Sequence, residues 1–335
     1  MKKRNDGRGE AILEPDLPII DAHHHLFDRP GARYMLEEFL ADATLGHDIQ
    51  ASVFVESHAF FREHGPEHLK PVGETEVAMD LALAARALPG NGVRVNAAIV
   101  AFADLTLGAL VGETLDAHRA VAGERFRGIR QVALFHEDPT PRQFMFAPPP
   151  AGLMQVPAFL EGFAELDRRG LSFDAAVFHT QLDDVAALAD RFPDARIVLN
   201  HMGFAMGMGC DALARQEVFS DWRAALGRLS ARPNVLLKVG GLGMPFWGFG
   251  LNEAEGSVDS ETLAAAWRPY VETGIELFGA DRCMMESNFP ADGHSCGYVP
   301  LWNALKRITA GCSAAEKALL YSGTAARTYG IELSA

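Results

Sequence analysis

Leu17-Pro18-Ile19-Ile20-Asp21-Ala22-His23-His24-His25 is the stretch that decides the fold. An apolar run ends in three histidines, which reads as the C-terminal end of a β-strand. Residues two apart on a strand point to the same face. His23 and His25 therefore project together, close enough for their imidazoles to share one metal ion. Neutral imidazole is a common ligand for a divalent cation such as zinc. A His-x-His by itself suits a histidine-rich turn or a hydrogen-bonded core pair equally well. The rest of the chain has to decide.

Seven further runs have the length and composition of strands: Ala51–Glu56, Val95–Val100, Gly128–Leu134, Leu171–Phe178, Ala195–Asn200, Val235–Val239 and Arg282–Glu286. Helix-length stretches separate them, among them Glu74–Ala87, Leu105–Val121, Ala158–Arg169, Leu182–Phe192, Trp222–Ser230, Glu261–Phe278 and Leu301–Ile308. Leu182, Val185, Leu188 and Ala189 carry the i, i+3 spacing of a helix that packs one face on a sheet. Strands alternating with helices predict parallel pairing through right-handed crossovers. Eight such units predict a single-domain α/β fold, a (β/α)8 TIM barrel over 18–335 behind an N-terminal extension, 1–17. A doubly wound sheet would place a glycine-rich turn after its first strand, where this chain has histidines.

Composition narrows the function. The 335 residues carry a net charge of -14, and no basic stripe follows the first few positions, which excludes nucleic acid as the expected partner. The start, MKKRNDGRGE, leads into no apolar segment, so neither a signal peptide nor a membrane association is expected. Cys210, Cys283, Cys296 and Cys312 lack metal or disulfide spacing, which suits a reducing cytoplasm. A small molecule is the expected partner, and a homo-oligomer is compatible with everything above.

In a (β/α)8 barrel the reactive groups stand at the C-terminal ends of strands. His23 and His25 end the first predicted strand, Glu56 the second, His179 the fifth and His201 the sixth; Arg130 lies in the fourth, Lys238 in the seventh, and Asn288 follows the eighth. Four histidines gathered at one mouth are far more specific than any one alone. The loops Asp138–Pro157, Met202–Cys210 and Gly240–Gly250 open at the same end; the first is placed as a lid, and Phe246 and Trp247 could wall a pocket.

DAHHHLF, VFHTQL, VLNHMG and SNFP together resemble the amidohydrolase superfamily, more narrowly its amidohydrolase-2 branch of barrel hydrolases, and ETLAAAWRPYVETGIELFGADRCMMESNFPAD extends the likeness. That branch contains sugar-lactone and pyrone dicarboxylate lactonases, with metal-dependent decarboxylases as more distant relatives. The resemblance implies that His23, His25 and His179 bind a divalent metal, zinc or manganese. It makes His201 a further ligand or a group that polarises the substrate carbonyl, and Arg130 a binder of a substrate carboxylate. The family's metal-binding, proton-accepting aspartate falls at Asn288, and an amide cannot take a proton from water. Glu286, two residues earlier on the same strand face, is the candidate replacement; its alternative is a structural ion pair with Lys238 or an arginine. Asp292 is a second candidate base. Glu56 and Lys238 are candidate substrate contacts, Glu56 also a candidate partner of Arg62 or Arg130. The expected activity is hydrolysis of an oxygen-rich or carboxylated lactone, with metal or with the histidines alone as oxyanion donors. The alternatives are non-oxidative decarboxylation and ligand binding without chemistry.

Overall fold

Eight strands lie side by side in chain order, every pair parallel: β1 (Ile19–His24), β2 (Ile49–Val55), β3 (Arg94–Ala101), β4 (Phe126–Val132), β5 (Ser172–Ala176), β6 (Ile197–Leu199), β7 (Val235–Val239) and β8 (Cys283–Met285). The computed structural model describes residues 9–145, 147–254 and 258–332. The sheet closes on itself beyond the end of β8. Asn288 donates its N–H to the His23 carbonyl at 2.9 Å and His25 donates to the Phe289 carbonyl at 2.8 Å. The buried Asp21 carboxylate bridges the same seam, accepting from the Ser287 N–H at 2.8 Å, the Ser287 hydroxyl at 2.6 Å and the Tyr298 hydroxyl at 3.0 Å. The predicted TIM barrel is the observed fold.

A helix follows each strand: α1 (Leu36–Ala43), α2 (Val72–Ala87), α3 (Val111–Ala122), α4 (Pro157–Arg168), α5 (Leu182–Arg191), α6 (Ala212–Ser230), α7 (Ser260–Phe278) and α8 (Tyr298–Ile308). Two short helices, α9 (Ala314–Ala318) and α10 (Thr324–Tyr329), end the chain. One apolar layer fills the space between strands and helices. A second lies inside the barrel, where Ile20, Val53, Val100, Val198 and Met284 pack above Tyr329 of α10. Tyr329 thus plugs the end opposite the predicted mouth, and its hydroxyl donates to Asp174 at 3.0 Å.

The first strand does not alternate regularly. Ile20 and Ala22 face the barrel interior, and so does His23, because the pairing of β1 with β2 slips between Asp21 and His24. Such a bulge re-aims the side chains that follow it. It turns His23 inward and sends His24 outward, where its ring stacks on Phe39 of α1 at 4.3 Å.

Several boundaries depart from the periodicity. β6 and β8 are three residues each, shorter than their apolar runs. The backbone enters the left-handed region at His201 and Met202 after β6 and at Asn288 after β8, which ends strand pairing at the site. The stretch predicted as one helix from Leu105 breaks at Gly108 (φ 59°) into a 3-10 turn and α3. α6 begins ten residues earlier than its apolar pattern, at the Asp211 cap, whose carboxylate accepts the Ala214 N–H at 2.9 Å. α9, α10 and a hairpin of Phe27–Arg29 with Ala32–Tyr34 carry too few apolar positions to stand out, and α1, although Leu36, Phe39, Leu40 and Ala43 form an apolar face, is only eight residues long. Of the predicted N-terminal extension, residues 1–8 lie outside the described ones. The next segment is strapped to α7 and α8: Glu10 accepts the Ser260 N–H at 2.8 Å and Lys306 donates to the Leu13 and Glu14 carbonyls at 2.8 Å. Among the described residues no helix is long and apolar enough to cross a membrane.

Candidate active site

Inward positions of β4, β5 and β7 and the residue after β2 build the floor of the mouth. Asp174 accepts from Lys238 Nζ at 2.7 Å, and both side chains are wholly buried. Lys238 also stands 3.4 Å from His23 Nδ1 and over the Tyr329 ring. Arg130 is held from behind by Glu56, its Nε donating to Oε1 at 2.6 Å and its Nη2 to the Glu56 carbonyl, while Nη1 lies 3.3 Å from His23 Nε2. Each cation therefore has its own buried carboxylate, the condition under which charges survive in an apolar interior.

Above this layer Glu286 reaches between two imidazoles. Its Oε1 is 2.6 Å from His201 Nδ1 and its Oε2 is 3.1 Å from His23 Nδ1. The pair fits because β7 is followed by two glycines. A Cβ on Gly240 would lie 2.3 Å from Glu286 Cγ, and one on Gly241 (φ 66°) would lie 2.5 Å from His201 Nδ1. Burial pushes the Glu286 carboxyl up to about 8 against the pull of Lys238. Burial also holds His23 and His201 well below the ordinary imidazole range, assisted by Lys238 at the first and Arg130 at the second.

The hydrogen bonds assign the tautomers along this chain. His25 Nδ1 donates to the Val55 carbonyl at 2.8 Å, so its Nε2 is an acceptor, and His23 Nε2 donates to it at 3.2 Å. His23 Nδ1 is then an acceptor, which meets Lys238 Nζ at 3.4 Å and also faces Glu286 Oε2, a buried oxygen with no hydrogen-bond partner. Two lone pairs opposed at this distance repel unless a proton or a cation lies with them. Ligand atoms of His23, His201 and Glu286 all fall within 4.8 Å of one another. Two neutral imidazoles and a carboxylate with an unsatisfied oxygen are a donor set that fits a divalent ion.

The sequence-based residues separate into groups. His25, Arg130, His201 and Asn288 line a cavity of about 150 Å³ at the barrel mouth. The ligand trio expected from the resemblance was His23, His25 and His179; the convergent trio is His23, His201 and Glu286, with His25 one hydrogen bond removed. His179 stands apart, its Nδ1 accepting the Met206 N–H at 3.3 Å. Asp292 is wholly buried and burial holds its carboxyl well above the usual range; it accepts from Gly243 N–H and Asn288 Nδ2, each at 2.8 Å. It orients the Asn288 amide and does not border the cavity. Glu56 and Lys238 also sit behind the cavity-lining groups; Arg62 pairs with Glu76 and not with Glu56. Asp174 and the Gly240-Gly241 pair were missed. An aspartate inside the apolar run of β5 and a double glycine directly after β7 were the available signals.

Comparison with known proteins gives three findings. The amidohydrolase family profile matches residues 20–331. The uncharacterized protein y4mH of Sinorhizobium fredii is 34% identical across 94% of this chain and 99% of its own length, and an L-fucono-1,5-lactonase of Burkholderia multivorans is 33% identical over 52% of this chain and 56% of its own. A crystal structure of a Burkholderia multivorans amidohydrolase with bound zinc superposes with a TM-score of 0.71 at 24% identity, covering 94% of this chain and 99% of that one.

Proposed function

The chain belongs to the amidohydrolase family, and from that premise we propose that it hydrolyses a small cyclic ester at the mouth of its barrel. The observation that carries the reading is the Glu286–His201 pair, 2.6 Å apart, directly beside a ring-sized cavity. The lactonase relative at 33% identity supports the same reaction class.

The residues divide the work as follows. Arg130 Nη1, which Glu56 leaves unused, and Asn288 face the carbonyl end of the ester. His201 borders the cavity while Glu286 does not. Water attacking the carbonyl carbon gives a proton to His201 Nε2, and the Nδ1 proton moves to Glu286 Oε1. When the ring C–O bond breaks, the same pair returns a proton to the departing alkoxide, and a hydroxy acid leaves. Glu286 does more than orient its histidine: burial raises its carboxyl to about 8 and lowers the His201 imidazole, so the proton passes to the carboxylate. Glu286 thereby replaces the carboxylate absent at Asn288. A divalent ion, zinc or manganese, held by His23, His201 and Glu286 would polarise the carbonyl and acidify water in place of this relay, because a neutral imidazole that ligates the ion has no lone pair left for a proton. Decarboxylation requires no acceptor for a proton from water, so a buried acceptor pair beside the cavity favours hydrolysis.

The four unpaired cysteines fit a cytoplasmic setting. A lactone panel read by acid release, with metal content measured on the same protein by plasma mass spectrometry, tests the reading. Release that is lost in Glu286→Gln is expected. No acid from any lactone, with carbon dioxide released from aromatic hydroxy acids instead, would replace it by decarboxylation.

A further inference from the structure

The cavity beside His201 is two-sided. Its polar side is His25, Ser57, His58, Arg130, His201 and Asn288; its other wall is mainly Val132, Leu134, Phe144, Phe204, Met244 and Phe246. The apolar wall begins on the reacting imidazole itself: Phe204 lies 4.8 Å from the His201 ring, Phe246 4.9 Å from Phe204, and Phe144 of the lid segment 5.7 Å from Phe246. None of those side chains carries a hydrogen-bonding oxygen or nitrogen. The polar side is largely committed. Arg130 spends Nε and Nη2 on Glu56, His25 spends Nδ1 on the Val55 carbonyl, Asn288 spends an Nδ2 proton on Asp292, the Ser57 hydroxyl is shared between the Leu26 carbonyl and Glu74, and His58 Nε2 stands 3.6 Å from Glu56 Oε2. The groups that remain lie on one side only, so a ring bearing several hydroxyls would turn some of them onto the aromatic wall.

From this we infer that the substrate is a lactone whose ring bears an alkyl or aryl substituent in place of ring hydroxyls; the inference rests on the lactone-hydrolysis reading. A cavity of about 150 Å³ holds a single six-membered ring. The cavity opens into a larger outer cleft of about 850 Å³ across a shared border with a polar edge, His25, Ser57 and Arg130, and an apolar edge, Phe144, Met145 and Met244; an alkyl or aryl substituent leaves the ring slot along the apolar edge. A sugar lactone would press its hydroxyls against the aromatic wall. Each hydroxyl buried there without a partner lowers binding about tenfold to a hundredfold.

The test compares kcat/KM of the full-length protein for δ-decalactone, unsubstituted δ-valerolactone, D-glucono-1,5-lactone and L-fucono-1,5-lactone. The alkyl lactone is expected to exceed both sugar lactones by at least about 100-fold. Met244→Gln is expected to raise KM about tenfold for δ-decalactone and far less for δ-valerolactone. Equal or better turnover of the sugar lactones overturns the inference and leaves lactone hydrolysis standing. If no lactone is hydrolysed, calorimetric titration with a pentyl-substituted piperidinone and with gluconolactam decides separately. Preferential binding of the alkyl lactam keeps the apolar slot while the hydrolytic reading falls; preference for gluconolactam, or binding of neither, overturns the slot as well.

Discussion

Glu286→Gln separates a working carboxylate from a structural one, because the two roles move activity and stability in opposite directions. The amide keeps the size of the side chain and the clearance over Gly240. It cannot take the proton that His201 passes on, so kcat/KM for lactone hydrolysis is expected to fall about 10²- to 10⁴-fold, or about 3–5 kcal/mol in the barrier. Stability should go the other way. Burial raises the Glu286 carboxyl from 4.5 to about 8 in the folded chain. A carboxyl raised in this way helps folding fully below 4.5, and that help is lost as pH rises through about 8, since the folded state then binds more protons than the unfolded one. The interval, at about 1.4 kcal/mol per pH decade, makes the ionised group cost about 5 kcal/mol above that range. Metal-stripped Glu286→Gln should therefore unfold at higher denaturant than metal-stripped wild type at pH near 9, and at nearly the same concentration near pH 4.5. Acid release by pH indicator and urea melts at both pH values read the two effects. A variant that keeps activity within about threefold, or that is less stable than wild type at high pH, would show Glu286 to be a structural ion-pair partner and refute the reasoning.

Asn288→Asp replaces a donor by a second carboxylate 2.8 Å from Asp292 Oδ1. Two such groups cannot both ionise, so urea melts should show a loss of roughly 2–4 kcal/mol near pH 8 that shrinks toward pH 5. Equilibrium dialysis with zinc should give about one ion per wild-type chain and none for His23→Ala; unchanged stoichiometry would move the ion away from this cluster. His118 bridges Thr75 Oγ1 and the Phe102 carbonyl at 2.8 and 3.0 Å, and burial lowers it from 6.5 to about 4. It stays neutral in the fold, so its contribution is complete above 6.5 and is lost as pH falls through about 4. That amounts to about 3 kcal/mol, and His118→Gln should flatten the slope of denaturant midpoints across this window.

The barrel was legible because its signals are local. Alternation of short apolar runs with amphipathic stretches needs only nearest-neighbour chemistry, and the chain order of eight such units leaves few parallel topologies. The segments that were missed, α1, α9, α10 and the hairpin after β1, are short and are stabilised mainly by what they pack against. The site was legible as a set of positions. His23, His25, His201, Glu286 and Asn288 sit at strand ends that the pattern marks, and Arg130 lies within β4. Their grouping was not legible. Glu56 and Lys238 look from their spacing like substrate contacts and Asp292 like a base, and the fold places all three behind the cavity-lining groups.

What the sequence determined alone was therefore the barrel and the end of it at which the polar residues gather. Periodicity and residue type suffice for those, whereas Asn288 in place of an aspartate, with Glu286 as the candidate replacement, comes from the family resemblance. Tertiary structure decided which side chains meet. The slip in β1 turns His23 inward, the left-handed turn at His201 brings its Nδ1 to Glu286, and the Gly240-Gly241 pair clears the space between them. These contacts join residues as many as 263 positions apart (His23 and Glu286), and no local pattern carries the distance between two side chains that only the closed barrel brings together.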